Sequence, residues 1–223
     1  MDFFFLFVAL IIAIVDWIAV SKNWRNVEYF AKPAVMIFLL IWLGQTSGFK
    51  GHLIWFALGL AFSLAGDVFL MLPRERFVAG LVAFLLGQLA YIVGFNSTLP
   101  RVNLPMLILA LLVAGTAFQI YRRIAAGLMS SGNGHLRLPV MIYTIVISLM
   151  LLSAMLTLVR PEWQPLQALM VTCGAFLFFL SDTILAWNKF VAPLPNGRLM
   201  DMIAYHLGQL LITLGAAAHF LNI

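Results

Sequence analysis

Two aspartates, Asp67 and Asp182, lie inside apolar runs where a carboxylate is hard to keep, which marks them as candidates for acid–base chemistry. Asp67 sits in Phe62-Ser-Leu-Ala-Gly-Asp67-Val-Phe-Leu-Met71, within the apolar segment 51–72, and Asp182 sits in Phe178-Phe-Leu-Ser-Asp182-Thr-Ile-Leu185. An ionised Asp deep in a membrane helix costs at least ~2.5 kcal/mol on insertion scales, so such a residue is a functional-site hypothesis by default. Two carboxyls sharing a low-dielectric cleft cannot easily both ionise, which leaves one protonated and one charged. General acid–base catalysis needs those two states. One group gives a proton while the other stabilises positive charge or activates water, the division of labour used by glycosidases.

Other polar side chains cluster with them. Asp201, Tyr205, Gln209 and Thr213 are four apart and share one face of a helix. Gln88 stands in a matching context earlier in the chain, and Ser63 lies one helical turn before Asp67. Lys189 follows Asp182 by two turns, and Lys32 stands beside Pro33. Lys32, Gln88, Lys189, Tyr205 and Gln209 are therefore the candidate binding residues. The plainer readings are interhelical hydrogen bonds worth about 0.6 kcal/mol each, lysines that snorkel to headgroups, and an Asp pair that only fixes packing. Asp16 is a third intramembrane acid, with Lys22 or Arg25 as its expected neutralising partner. No His, Cys and carboxylate spacing matches a zinc site, and no cofactor is expected. A nucleophile elbow, a glycine-rich phosphate loop and a basic-aromatic nucleic-acid surface are likewise missing.

The elements that must position these residues are membrane helices. The chain has 223 residues, 64% hydrophobic and only 9% charged, whereas soluble domains carry roughly 25% charge. Eight apolar stretches fit spans at about 3–20, 30–47, 52–72, 77–97, 103–121, 138–159, 165–187 and 199–220. The reading is an all-α membrane protein forming one polytopic domain. The N-terminus lacks a basic region and cleavage site, so its first apolar stretch is expected to be a retained span. The lone Cys173 excludes a disulfide framework.

Charge orients the spans. The loops after spans one, three, five and seven hold Lys22, Arg25, Lys32, Arg74, Arg76, Arg122, Arg123, Arg137, Lys189 and Arg198, and the other side holds Lys50, Arg101 and Arg160. Ten against three puts the odd-numbered loops in the cytoplasm. The expectation is an inner (plasma) membrane protein with both termini outside. The net charge of +5 is then a matter of orientation and not of nucleic-acid binding.

An internal repeat organises the whole. Leu64-Ala-Gly-Asp67 aligns with Phe179-Leu-Ser-Asp182, and Gly87-Gln88 through Gly94 aligns with Gly208-Gln209 through Gly215. Lys32-Pro-Ala-Val-Met-Ile37 weakly echoes Leu138-Pro-Val-Met-Ile142. Four spans per half, about 1–100 and 101–223, give two parallel four-helix repeats with the site at their interface. Asp67 and Asp182 are expected to face each other there, in a cavity open to the cytoplasmic leaflet.

The chain resembles the YhhN-like family, which includes the lysoplasmalogenases, along nearly all its length. The resemblance rests on Lys32-Pro33, Gly66-Asp67 with Phe69-Leu70, Ser181-Asp182 with Leu185-Ala186, Lys189-Phe190, and Tyr205 with Gln209. It implies an eight-span protein that hydrolyses the vinyl ether bond of lysoplasmalogens to a fatty aldehyde and glycerophospho-ethanolamine or -choline. The partners implied are a lysophospholipid substrate, water and membrane lipid. That chemistry suits the residues: protonation of the alkenyl β-carbon needs an acid, and the resulting oxocarbenium ion needs a carboxylate and water. Gln88, Gln209 and Tyr205 would orient water or the glycerol hydroxyl, and Lys32 and Lys189 would hold the phosphate. A proton-coupled lysolipid or small-molecule carrier would use the same acids as a relay. A structural membrane protein would tolerate Asp→Asn at both positions.

Overall fold

A computed structural model describes residues 3–72, 76–98 and 103–222; Arg74 and Arg101 of the charge count lie outside them. Eight helices follow in order: α1 Phe4–Lys22, α2 Arg25–Ser47, α3 Leu53–Met71, α4 Phe77–Phe95, α5 Leu104–Ser130, α6 Arg137–Leu156, α7 Pro165–Phe190 and α8 Gly197–Phe220. Each is long and apolar enough to cross a membrane. Their starts and stops follow local chemistry. Asn103 caps α5 by accepting from the Met106 N–H at 2.9 Å. Gly48 closes α2 at φ +59°, a conformation that suits a residue without a Cβ.

Two boundaries differ from the sequence expectation. α2 starts at Arg25, five residues earlier than the expected 30, so Lys32 and Pro33 lie two turns inside a helix. Pro33 removes one backbone donor there but does not end the helix. α5 continues nine residues past the expected end at 121. Arg122 and Arg123, expected in a loop, are exposed on one side of it. Its other side carries Ile124 and Leu128, which pack with Leu136, Val140 and Phe190. A charge pair reads as a loop only when the opposite face has nothing to bury against.

Within each half α1 packs on α2 and α3 on α4, as α5 does on α6 and α7 on α8. Close helix approaches recur at matched positions. A Cβ on Gly174 would come within 2.8 Å of the Gly208 carbonyl oxygen, and one on Gly87 within 3.0 Å of the Gly59 oxygen. Small residues at such crossings let membrane helices pack without a hydrophobic drive between them. These correspondences are consistent with two parallel repeats. The halves are not equivalent throughout. α1 packs on α8, whereas α5 leans on α6 and α7 and touches α4 marginally at most among the described residues.

α8 is the central element, packed against α1, α2, α3 and α7. At one end the bundle is sealed. Arg160 donates to the Phe95 carbonyl at 2.8 Å and to Asn96 Oδ1 at 2.7 Å, tying α4 to the segment before α7. His219 stacks on Trp163 at 3.7 Å, and His52 stacks on Phe220 at 5.4 Å, closing the same end with rings. The opposite end, where α1–α2, α3–α4 and α7–α8 are joined, opens into a cavity of about 700 Å³.

Gly174→Leu is expected to force α7 from α8 and lower unfolding stability in detergent by about 1–3 kcal/mol. Gly115→Leu faces open space and is expected to change it little. Denaturant unfolding of the two variants checks the difference.

Candidate active site

The aspartates are gripped by two networks, each drawing one donor from the same half of the chain and one from the other. Asp67 on α3 pairs with Lys32 of α2, Nζ to Oδ1 at 3.0 Å, and accepts from the Tyr205 hydroxyl of α8 at 2.7 Å. Lys32 also lies 5.5 Å from the centre of the Tyr205 ring. Asp182 on α7 accepts from the Tyr143 hydroxyl of α6 and from Gln88 Nε2 of α4 at 3.2 Å, both at Oδ2. Gln88 further donates to the Tyr143 oxygen at 2.7 Å. The two carboxyls share no hydrogen bond. Phe84 and Phe178, four residues before Gln88 and Asp182 in the chain, pack edge-on to Tyr205 at 6.0 and 5.7 Å.

The sequence candidates are thus divided among distinct places. Asp67, Lys32 and Tyr205 form one buried cluster, and Asp182 with Gln88 forms another. Gln209 lies one turn deeper, accepting from Tyr91 at 2.5 Å and donating to Ser63 at 3.0 Å. It borders neither of the spaces described below. Lys189 is exposed on the rim of the open cavity, its Nζ 5.1 Å from the Phe77 ring centre. All four residues of the α8 stripe, Asp201, Tyr205, Gln209 and Thr213, are buried.

Four contributors were not singled out from sequence as site residues. Tyr143 sits on α6 with no charged residue nearer in sequence than Arg137 to mark it. Asp201 was noted only as part of the stripe. It accepts from the Ser181 hydroxyl at 2.6 Å, next to Asp182 in the chain, and lines the open cavity. Its four-residue spacing from Tyr205 was the signal that could have promoted it. His206 and Trp17 pair through Trp17 Nε1 donating to His206 Nδ1 at 3.2 Å. Asp16 faces that pair, 4.0 Å from His206 Nδ1, and not the exposed Lys22 or Arg25. Among the described residues, no three His, Cys, Asp or Glu side chains converge as metal ligands.

Two spaces reach the site. The first is the open cavity, a vestibule whose wall carries Arg25, Glu28, Lys189 and Arg198, with the buried Lys32 and Asp201 at its floor. Arg198 clamps both Glu28 oxygens at 2.7 and 2.8 Å, joining α2 to α8 across it. The second is a narrow apolar cleft between α4, α5, α6 and α7, with Asp182 and Tyr143 among its few polar lining groups. Asp67 is fully buried and borders neither space.

An apolar eight-helix bundle with two carboxyls held among its helices is an integral, multi-pass membrane protein. The chain belongs to the YhhN family, whose model matches residues 27–216. It is 31% identical to the human lysoplasmalogenase TMEM86B over 203 residues, covering 90% of this chain and 79% of that protein. The mouse lysoplasmalogenase TMEM86B is 29% identical over 201 residues, with the same coverage of each. Human lysoplasmalogenase TMEM86A is 30% identical over 161 residues, 71% of this chain and 63% of that one. No solved structure matches the chain.

Removing one member of a buried ion pair strands the other charge, whereas replacing both with apolar groups is often neutral. Asp67→Asn is therefore expected to lower stability by about 3–5 kcal/mol, and Lys32→Met with Asp67→Leu to recover most of it. Unfolding of the two variants in detergent checks this.

Proposed function

We propose that this protein is a lysoplasmalogenase, which hydrolyses the vinyl ether bond of a lysoplasmalogen inside the membrane. The observation that carries the reading is Asp182. A carboxyl borders an apolar cleft, both its hydrogen bonds fall on one oxygen, and the chain is about one-third identical to proteins of that name.

Asp182 is the proton donor. Tyr143 and Gln88 hold Oδ2, which leaves Oδ1 to carry the proton toward the cleft. The proton goes to the alkenyl carbon β to the ether oxygen. The C=C π pair forms the new C–H bond, and the positive charge becomes an oxocarbenium ion. Water from the vestibule adds to the charged carbon and gives up a proton to the Asp182 carboxylate, forming a hemiacetal. The hemiacetal collapses as its glycerol oxygen takes a proton from Asp182 and its hydroxyl gives one back, releasing fatty aldehyde and glycerophospho-ethanolamine or -choline. Asp67 is the standing carboxylate. Its ion pair with Lys32 keeps it charged, and its negative charge favours the cation in a low-dielectric region. Lys32 and Lys189 are the cations at hand for the substrate phosphate. The charge bias of the loops supports a vestibule facing the cytoplasm and termini facing the other way.

Purified protein is expected to release aldehyde from lysoplasmenyl-ethanolamine or -choline, and nothing from the saturated ether or acyl lysolipids. In D₂O, one deuterium is expected at the aldehyde α-carbon, with slower turnover because carbon protonation is the difficult step. Asp182→Asn is expected to lose at least about 10²–10⁴-fold in rate. A folded Asp182→Asn protein with near wild-type turnover would remove that residue from the mechanism.

A further inference from the structure

We propose that the cleft and the vestibule are the two halves of one lipid site, in which a single hydrocarbon chain reaches the cleft laterally from the bilayer and a zwitterionic headgroup occupies the vestibule. This rests on the reading above only for which bond is broken.

The two spaces adjoin. Leu70, Phe77 and Leu185 line both of them. Leu70 lies three residues beyond Asp67, and Leu185 three beyond Asp182, at matched positions of the repeat. The junction is therefore walled, on two sides, by residues one helical turn from each aspartate. An amphiphile lying across it places its first chain carbons beside Asp182, which lines the cleft, and its polar part in water.

Each space matches one part of such a molecule. The cleft is lined by Leu81 and Phe84 of α4, Ile120 and Ile124 of α5, and Val140 and Ile147 of α6. It is narrow, about 50 Å³, room for a few methylene groups of one chain and none for a second. The vestibule is about 700 Å³ and carries both signs of charge. Arg25, Lys32 and Lys189 suit a phosphate, while Asp201 on the same lining suits an ammonium. A purely anionic or cationic headgroup would meet like charge there.

The route into the cleft follows from the unequal halves. α1 seals its side of the bundle by packing on α8, but its counterpart α5 leaves α4 nearly untouched. Only six of the 27 residues of α5 are buried, so it is the wall least tied to the bundle. A chain already in the bilayer passes between α4 and α5 without crossing water, and the narrow cleft widens as α5 leans outward.

The test separates binding from chemistry. Full-length Asp182→Asn protein in lipid nanodiscs is photolabelled with a saturated-ether lysophosphoethanolamine carrying a diazirine at mid-chain, and the adducts are mapped by peptide mass spectrometry. Adducts are expected on Leu81, Ile120 or Ile124. A plug from either wall, Ile124→Trp or Val140→Trp, is expected to reduce them at least about tenfold with the melting temperature retained. Ala114→Trp, in the separate lipid-facing groove between α5 and α6, is expected to leave them unchanged. Adducts confined to that outer groove, adducts insensitive to both plugs, or no labelling of the protein would overturn the proposal. Adducts in the cleft from a protein that releases no aldehyde would retain this site and remove the lysoplasmalogenase reading. Aldehyde release with adducts elsewhere would do the reverse.

Discussion

A carboxyl group in hydrocarbon must be met by donors, and the packing of this bundle is arranged around that demand. Asp67 and Asp182 occupy matched places in the two halves, and each is held in the same manner. The second helix of its own half supplies one partner, Lys32 for Asp67 and Tyr143 for Asp182. The fourth helix of the opposite half supplies another, Tyr205 and Gln88. The halves are thereby cross-tied through their polar centres, so helix packing and site geometry are one constraint. Asp16 stands outside this scheme. It is fully buried, and neither of its oxygens has a hydrogen-bond partner among the described residues. The nearest side chain that could carry charge to it is His206, already engaged by Trp17.

The same partner types do not recur in the two halves. Asp67 meets a lysine and a tyrosine, whereas Asp182 meets a tyrosine and an amide. Their surroundings differ as well. Asp67 is enclosed, while Asp182 borders an apolar cleft. The proposed acid and standing carboxylate thus differ in their neighbours, the usual basis for giving two carboxyls separate roles.

Openness follows a similar asymmetry. One end of the bundle is closed by Arg160 on the end of α4 and by the rings of Trp163, His219, His52 and Phe220. The other end gathers Arg25, Glu28, Lys189 and Arg198 around water-accessible space. Laterally, the bundle is tight where α1 meets α8 and loose where α5 passes α4. A molecule with one apolar and one charged end would find matching surroundings only where the loose side approaches the open end.

Eight spans, an aspartate within each of α3 and α7 and the buried stripe on α8 were legible in the sequence, because hydrocarbon imposes rules that one chain must satisfy locally. The expected meeting of Asp67 and Asp182 in one open cavity is not found, since each is taken up by its own donors. A span needs its length of apolar residues, and a polar side chain within one needs a reason. Helix ends were less legible. α5 runs past Arg122-Arg123 because Ile124 and Leu128 find Leu136 and Phe190, and α2 begins before Lys32-Pro33. Tyr143 could not be read as a site residue, since one tyrosine on an apolar helix is ordinary until Asp182 of another helix is seen to meet it. The partners of each aspartate, the place of Asp201 at the vestibule floor and the cleft beside α5 were decided by tertiary structure alone. Each depends on which helices touch, and periodicity within a helix names the face that turns inward but not the neighbour it meets.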